Sequence, residues 1–182
     1  MTSHAEGVRS RTAAPPWPNS AMADLYAHAL TASTQAAAAC GELSEIFDLR
    51  GEEAAARMFR QLGLSEAERA AELIRRMAGR PLAHVPSWQH YSWLYRDSPN
   101  QGARKLIAGL MTVPAALRIA LEVGSRAKGL YEQFGANADH AEVRAQAQEL
   151  SEEQSRQLRQ VASALANTAP PPEADELLYA MP

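Results

Sequence analysis

Gly51 to Leu73 reads GEEAAARMFRQLGLSEAERAAEL, and His140 to Val161 reads HAEVRAQAQELSEEQSRQLRQV. Both stretches repeat apolar or small residues every three to four positions, the period that lines up side chains on one face of an α-helix. In the first, Ala54, Ala55, Met58, Phe59, Leu62, Ala70, Leu73, Ile74 and Met77 form the inward stripe of a helical arm ending at Gly79. Gly63 followed by Ser65 and Glu68 has the form of a helix stop and a capping box, so this arm is expected to kink or split there. In the second, Val143, Ala147, Leu150, Leu158, Val161 and Leu165 predict a helix over about 140–167, capped by Asp139.

Each of these arms follows another long periodic run. Ser20 is a predicted N-cap, and Met22, Leu25, Tyr26, Ala29, Leu30, Ala36, Ala37, Cys40, Leu43, Ile46 and Phe47 predict a helix over about 21–49. Pro114 suits a first helical turn, and Leu117, Ala120, Leu121, Ala127, Leu130, Tyr131 and Phe134 predict another over about 113–134. The chain therefore reads as all-α, with two helical hairpins. Residues 1–19 and 168–182 are broken by prolines and read as a disordered arm and tail around a domain at 20–167. Between the hairpins, 80–112 trades periodicity for prolines and aromatics, which marks a long crossover, with a short helix expected near 101–111.

Composition narrows the function classes. A chain of 182 residues holds one domain, and a net charge of −3 gives no basic footprint for nucleic acid. Alanine is abundant and nearly all the positive charge is arginine, with Lys105 and Lys128 the only lysines, a usage typical of a bacterial GC-rich genome. Cys40 stands alone, so no intramolecular disulfide forms, and its apolar surroundings predict a buried, inert thiol. No apolar run reaches the ~18 residues of a membrane span and no signal-peptide layout opens the chain, so a cytoplasmic location is expected. No Ser/His/Asp set, phosphate-binding glycine loop or paired-cysteine zinc pattern is present.

The two hairpins match one another in cadence, as GLYEQFGANADHAEVR at 129–144 illustrates. A duplicated hairpin with one long crossover resembles the rubrerythrin-like branch of the ferritin-like superfamily, over about 21–167 without the crossover. The resemblance implies a four-helix ferritin-like bundle in which each hairpin supplies one Glu from its first helix and a Glu-x-x-His from its second, all directed at two irons. Carried over by position, those ligands fall on Ser33, Glu66 and Arg69 in the first hairpin and on Gly124, Gln154 and Gln157 in the second. Glu66 alone retains the ligand type, so the resemblance implies a degenerate site without catalytic residues, resident metal or cofactor. As a core, Glu66 and Arg69 can neutralise each other and the two glutamines can bond each other. As solvated faces, the same residues need no partner.

Three functions follow as expectations. The first is a binding module for a protein partner or a small ligand. The second is an iron- or manganese-dependent oxidoreductase with a relocated site drawn from His28, Glu66, Glu68, Glu122 and Glu153. The third is a structural dimerisation module. Trp88, His90, Tyr91, Trp93 and Tyr95 in the crossover are candidates for a ligand pocket or a subunit interface. A homo-oligomer or a protein partner is expected, and neither nucleic acid nor a membrane span.

Overall fold

The structure is a computed structural model that describes residues 20–80 and 110–168. Within them lie four long helices: α1 (Ser20–Leu49), α2 (Glu53–Met77), α3 (Val113–Ala136) and α4 (Ala141–Ala166). Helices α1 and α2 form one hairpin, and α3 and α4 the other.

The tight α1–α2 turn follows from one glycine. Gly51 has φ of 75°, Glu52 N–H donates to the Phe47 carbonyl at 2.8 Å and Gly51 N–H to that of Asp48 at 3.0 Å. These two bonds close a Schellman motif, which needs a left-handed residue at that position. At the head of α3, the Thr112 hydroxyl accepts from Ala115 N–H at 3.3 Å, and Pro114 occupies the first turn.

Two apolar layers fix the topology. One joins Leu25 and Tyr26 near the start of α1 with Leu73 and Met77 at the end of α2, Tyr131 late in α3, and Val143 early in α4. The other joins Leu43 and Phe47 late in α1 with Phe59 early in α2, Leu117 early in α3, and Val161 late in α4. Helices α1 and α4 therefore run one way, and α2 and α3 the other. The chain leaves α2 at one end of the bundle and enters α3 at the opposite end.

Several expectations change. Helix α2 is unbroken, and the Ser65–Glu68 capping box is not used. Gly63 is a packing residue: a Cβ there would lie 3.2 Å from Cys40 Cβ and 3.3 Å from the Ala37 carbonyl oxygen, so glycine lets α1 and α2 approach closely. The N-cap of α4 is His140, one residue beyond Asp139, and α1 begins at Ser20 itself. Ile74, placed inward from its periodicity, is 54% exposed. The arm at 1–19, the short helix near 101–111, most of the crossover and nearly all of the tail lie outside the described residues. Among the described residues no helix is long and apolar enough to cross a membrane.

Gly63→Val is expected to destabilise the fold by about 1–3 kcal/mol, because the obstructing atoms include backbone that cannot rotate away. Gly124→Ala should cost less, although its Cβ would meet Leu158 Cδ2 at 2.8 Å and Gln154 Nε2 at 2.9 Å, since both are ends of flexible side chains. Urea unfolding of the two variants beside the native chain measures the difference; equal losses would mean that the α1–α2 approach is not the tight one.

Candidate functional site

Midway along the bundle, between the two apolar layers, every helix contributes a small or polar residue. Helix α1 gives Ser33, α2 gives Glu66 and Arg69, α3 gives Gly124, and α4 gives Gln154 and Gln157. Ser33, Glu66 and Gln154 are 2%, 4% and 6% exposed, so this layer belongs to the core and is not a solvated face. The six positions picked from the sequence converge, because each lies one or two helical repeats from a core residue on the same stripe.

The polar groups form a ring of contacts. Arg69 Nη1 donates to Gln154 Oε1 at 2.9 Å. Gln154 Nε2 donates to Gln157 Oε1 at 3.4 Å, and Gln157 Nε2 donates to Glu66 Oε1 at 2.5 Å. The circuit closes through the ion pair of Arg69 Nη1 with Glu66 Oε2 at 3.7 Å. Arg69 Nε also lies 3.8 Å from Glu153 Oε2. A buried carboxylate needs such compensation, because an unpaired charge at this depth costs several kcal/mol. Among the described residues Glu66 Oε2 has no hydrogen-bond partner. Beside it is a small cavity of about 20 Å³ lined by Ser33, Ala36, Glu66, Val123, Gly124 and Gln154, among others. Outside the ring, a groove of about 460 Å³ runs between α2 and α4 with Arg69, Gln157, Ser65 and Arg156 in its wall. Arg69 and Gln157 thus stand between the groove and the buried carboxylate.

A pair of metal ions does not fit this donor set. One buried carboxylate, a hydroxyl and two amides face a guanidinium that already pairs with Glu66 and with Glu153 at the edge of the layer, and among the described residues no imidazole joins them. Of the relocated candidates, Glu66 and Glu153 meet at Arg69, and the other three stand away from them. Glu68 is exposed, Glu122 pairs with Arg126 at 3.0 Å on the outer surface, and His28 packs its ring 5.6 Å from Phe134. Among the described residues no three His, Cys, Asp or Glu side chains are grouped as a metal would require. Trp88, His90, Tyr91, Trp93 and Tyr95 lie outside the described residues.

Cys40 is fully buried against Gly63. Burial, aided by the charge of Glu66, pushes its thiol up from 9.0 to about 12. The unfolded chain then loses this proton near pH 9 while the folded chain keeps it, so stability present below pH 9 is lost as pH rises toward 12. The slope is about 1.4 kcal/mol per pH unit for one such group. Denaturant titrations at a series of alkaline pH values should show this slope in the native chain and a shallower one in Cys40→Ala; identical slopes would remove Cys40 as the cause. The electrostatics of the α2–α4 seam are simpler: Arg76 donates to Glu72 at 2.9 Å and to Glu149 at 2.8 Å. Hydrogen bonds from Arg76 and Arg75 hold the Glu72 carboxyl below the usual carboxylate range.

Sequence reasoning missed the ring itself. It paired Glu66 with Arg69 and Gln154 with Gln157, whereas the stronger links cross between helices, Arg69 to Gln154 and Gln157 to Glu66. Periodicity within one helix carries no signal for contacts made across two.

No family model matches the chain, and no curated protein does. The fold is similar to that of an uncharacterized conserved protein from Magnetospirillum magnetotacticum, with a TM-score of 0.69 and 24% identity over 82% of this chain and 96% of the other.

Proposed function

We propose that the chain is a ferritin-like bundle of the rubrerythrin-like branch that has given up di-iron chemistry and works as a binding module for a protein partner or a small ligand. The observation that carries this reading is the single mid-bundle layer into which Ser33, Glu66, Arg69, Gly124, Gln154 and Gln157 fall. In a ferritin-like bundle that is where two irons sit, held by a Glu from each of two helices and a Glu-x-x-His from each of the others. The order of helix directions, with α2 ending and α3 starting at opposite ends of the bundle, supports the same reading. Here the metal charge is replaced by a guanidinium, and the carboxylate that survives is neutralised from within. A small ligand on this reading binds in the groove over Arg69 and Gln157, since the small cavity of about 20 Å³ beside Glu66 has room for about one water molecule.

Restoring the ligand set tests the correspondence. Ser33→Glu, Arg69→His, Gly124→Glu, Gln154→Glu and Gln157→His, with Glu66 kept, should give a folded chain that binds about two divalent ions, as ferritin-like di-iron bundles do. Calorimetric titration with ferrous or manganous ion measures it. A variant that is folded by circular dichroism yet binds no more metal than the native chain would show that these are not the family's ligand positions.

A further inference from the structure

Glu66 is the charged residue that the described core buries, and its two oxygens meet different surroundings. Oε1 accepts from Gln157 Nε2, on the side of the layer that faces the α2–α4 groove. Oε2 lies 3.7 Å from Arg69 Nη1, too far for a hydrogen bond, and accepts none from any described residue. A carboxylate oxygen at this depth has given up its hydration and needs a donor in exchange. The cavity of about 20 Å³ adjoins the same carboxylate, and all four helices line it: Ser33 and Ala36 from α1, Glu66 from α2, Val123 and Gly124 from α3, and Gln154 from α4. With Oε1 taken on the groove side, Oε2 is the oxygen that faces this cavity.

Size and chemistry select the occupant. About 20 Å³ is the room that one water molecule needs, and it is too little for an organic molecule. A wholly apolar cavity stays dry, whereas a carboxylate oxygen, a hydroxyl and an amide supply the two to four polar partners that hold a buried water. Gly124 makes the place, because a Cβ there would lie 2.9 Å from Gln154 Nε2, and its absence lets the amide lie against α3 at the edge of the cavity. Of the two N–H groups on that nitrogen, one reaches Gln157 Oε1, which leaves the other to donate. A cation would meet a carboxylate already balanced by Arg69 and add uncompensated charge to the core. A neutral donor satisfies Oε2 without that cost.

We propose that the polar layer binds one water molecule in this cavity, which donates to Glu66 Oε2 and Ser33 Oγ and accepts from Gln154 Nε2. These bonds tie α1 and α2 of one hairpin to α4 of the other and complete the ring on the side of Oε2. The site is separate from the groove over Arg69 and Gln157, and it forms whether or not the layer descends from a metal site.

Two measurements on the full chain test the proposal. Crystals of the native chain, one of them soaked in rubidium chloride, should show one density peak about 2.7–3.0 Å from Glu66 Oε2 and no anomalous signal there. No peak, or rubidium in its place, overturns the proposal. In solution, a bridging water couples Ser33 to Glu66, two side chains that share no direct hydrogen bond among the described residues. Ser33→Ala should therefore raise the unfolding constant about tenfold in the native chain, and less than about twofold where Glu66→Met with Arg69→Leu has already removed the acceptor. Equal costs in the two backgrounds overturn the proposal as well. The crystals decide the matter even if the triple variant does not fold.

Discussion

Arg69→Ala is expected to destabilise the fold by about 3–5 kcal/mol, the range for removing one partner of a buried ion pair. The side chains of Arg69 and Glu66 are 16% and 5% exposed, so little solvent screening moderates the loss. Without the guanidinium, Glu66 retains only Gln157 as a side-chain donor among the described residues, and the Gln154 carbonyl oxygen loses its bond from Arg69. Replacing both charges, Glu66→Met with Arg69→Leu, should recover most of the loss, because apolar residues of similar volume need no compensation. The difference between the single and double replacements, read from urea unfolding, measures the coupling directly. If Arg69→Ala costs under about 1 kcal/mol, the value of an exposed pair, then the ring does not act as a closed charge-balanced unit.

Phe59→Ala should cost a comparable amount, about 3–5 kcal/mol, through the cavity it opens. Phe59 is fully buried and stacks on Phe47 with ring centroids 5.4 Å apart and planes 21° from parallel. Both rings belong to the apolar layer at the α1–α2 turn, which also draws on Leu117 of α3 and Val161 of α4. Its removal therefore loosens the contact between hairpins as well as the packing within one. Thermal unfolding should fall by about 10 °C, given ~2–4 °C per kcal/mol for a domain of this size. A fall of 2 °C or less would place Phe59 in a region able to collapse around the void.

The helices and the inward stripes were legible in the sequence because a helix in water needs an apolar face, and its period is short enough to read in one segment. Tyr131, Val143 and Leu73 were found that way and are buried. Gly63 was misread as a stop because a glycine gives the same letter whether it ends a helix or lets a neighbour approach; only the position of Cys40 beside it decides. Ile74 was placed inward for a similar reason. It follows the buried Leu73, and two apolar positions one residue apart look like one broad stripe until the packing of each is known. The convergence of Ser33, Glu66, Gly124 and Gln154 was legible through the family resemblance. The ring of hydrogen bonds was not, since side-chain contacts between α2 and α4 depend on how the helices are set against each other.

Metal content tests the central claim most directly. The chain, expressed in iron-replete medium and then exposed anaerobically to excess ferrous iron and desalted, should carry well under one iron per chain by mass spectrometry of the digested protein. The reason is that the Glu66 carboxylate is already paired with the Arg69 guanidinium. About two irons per chain, the load of a ferritin-like di-iron bundle, lost on Glu66→Ala in a still folded variant, would contradict it.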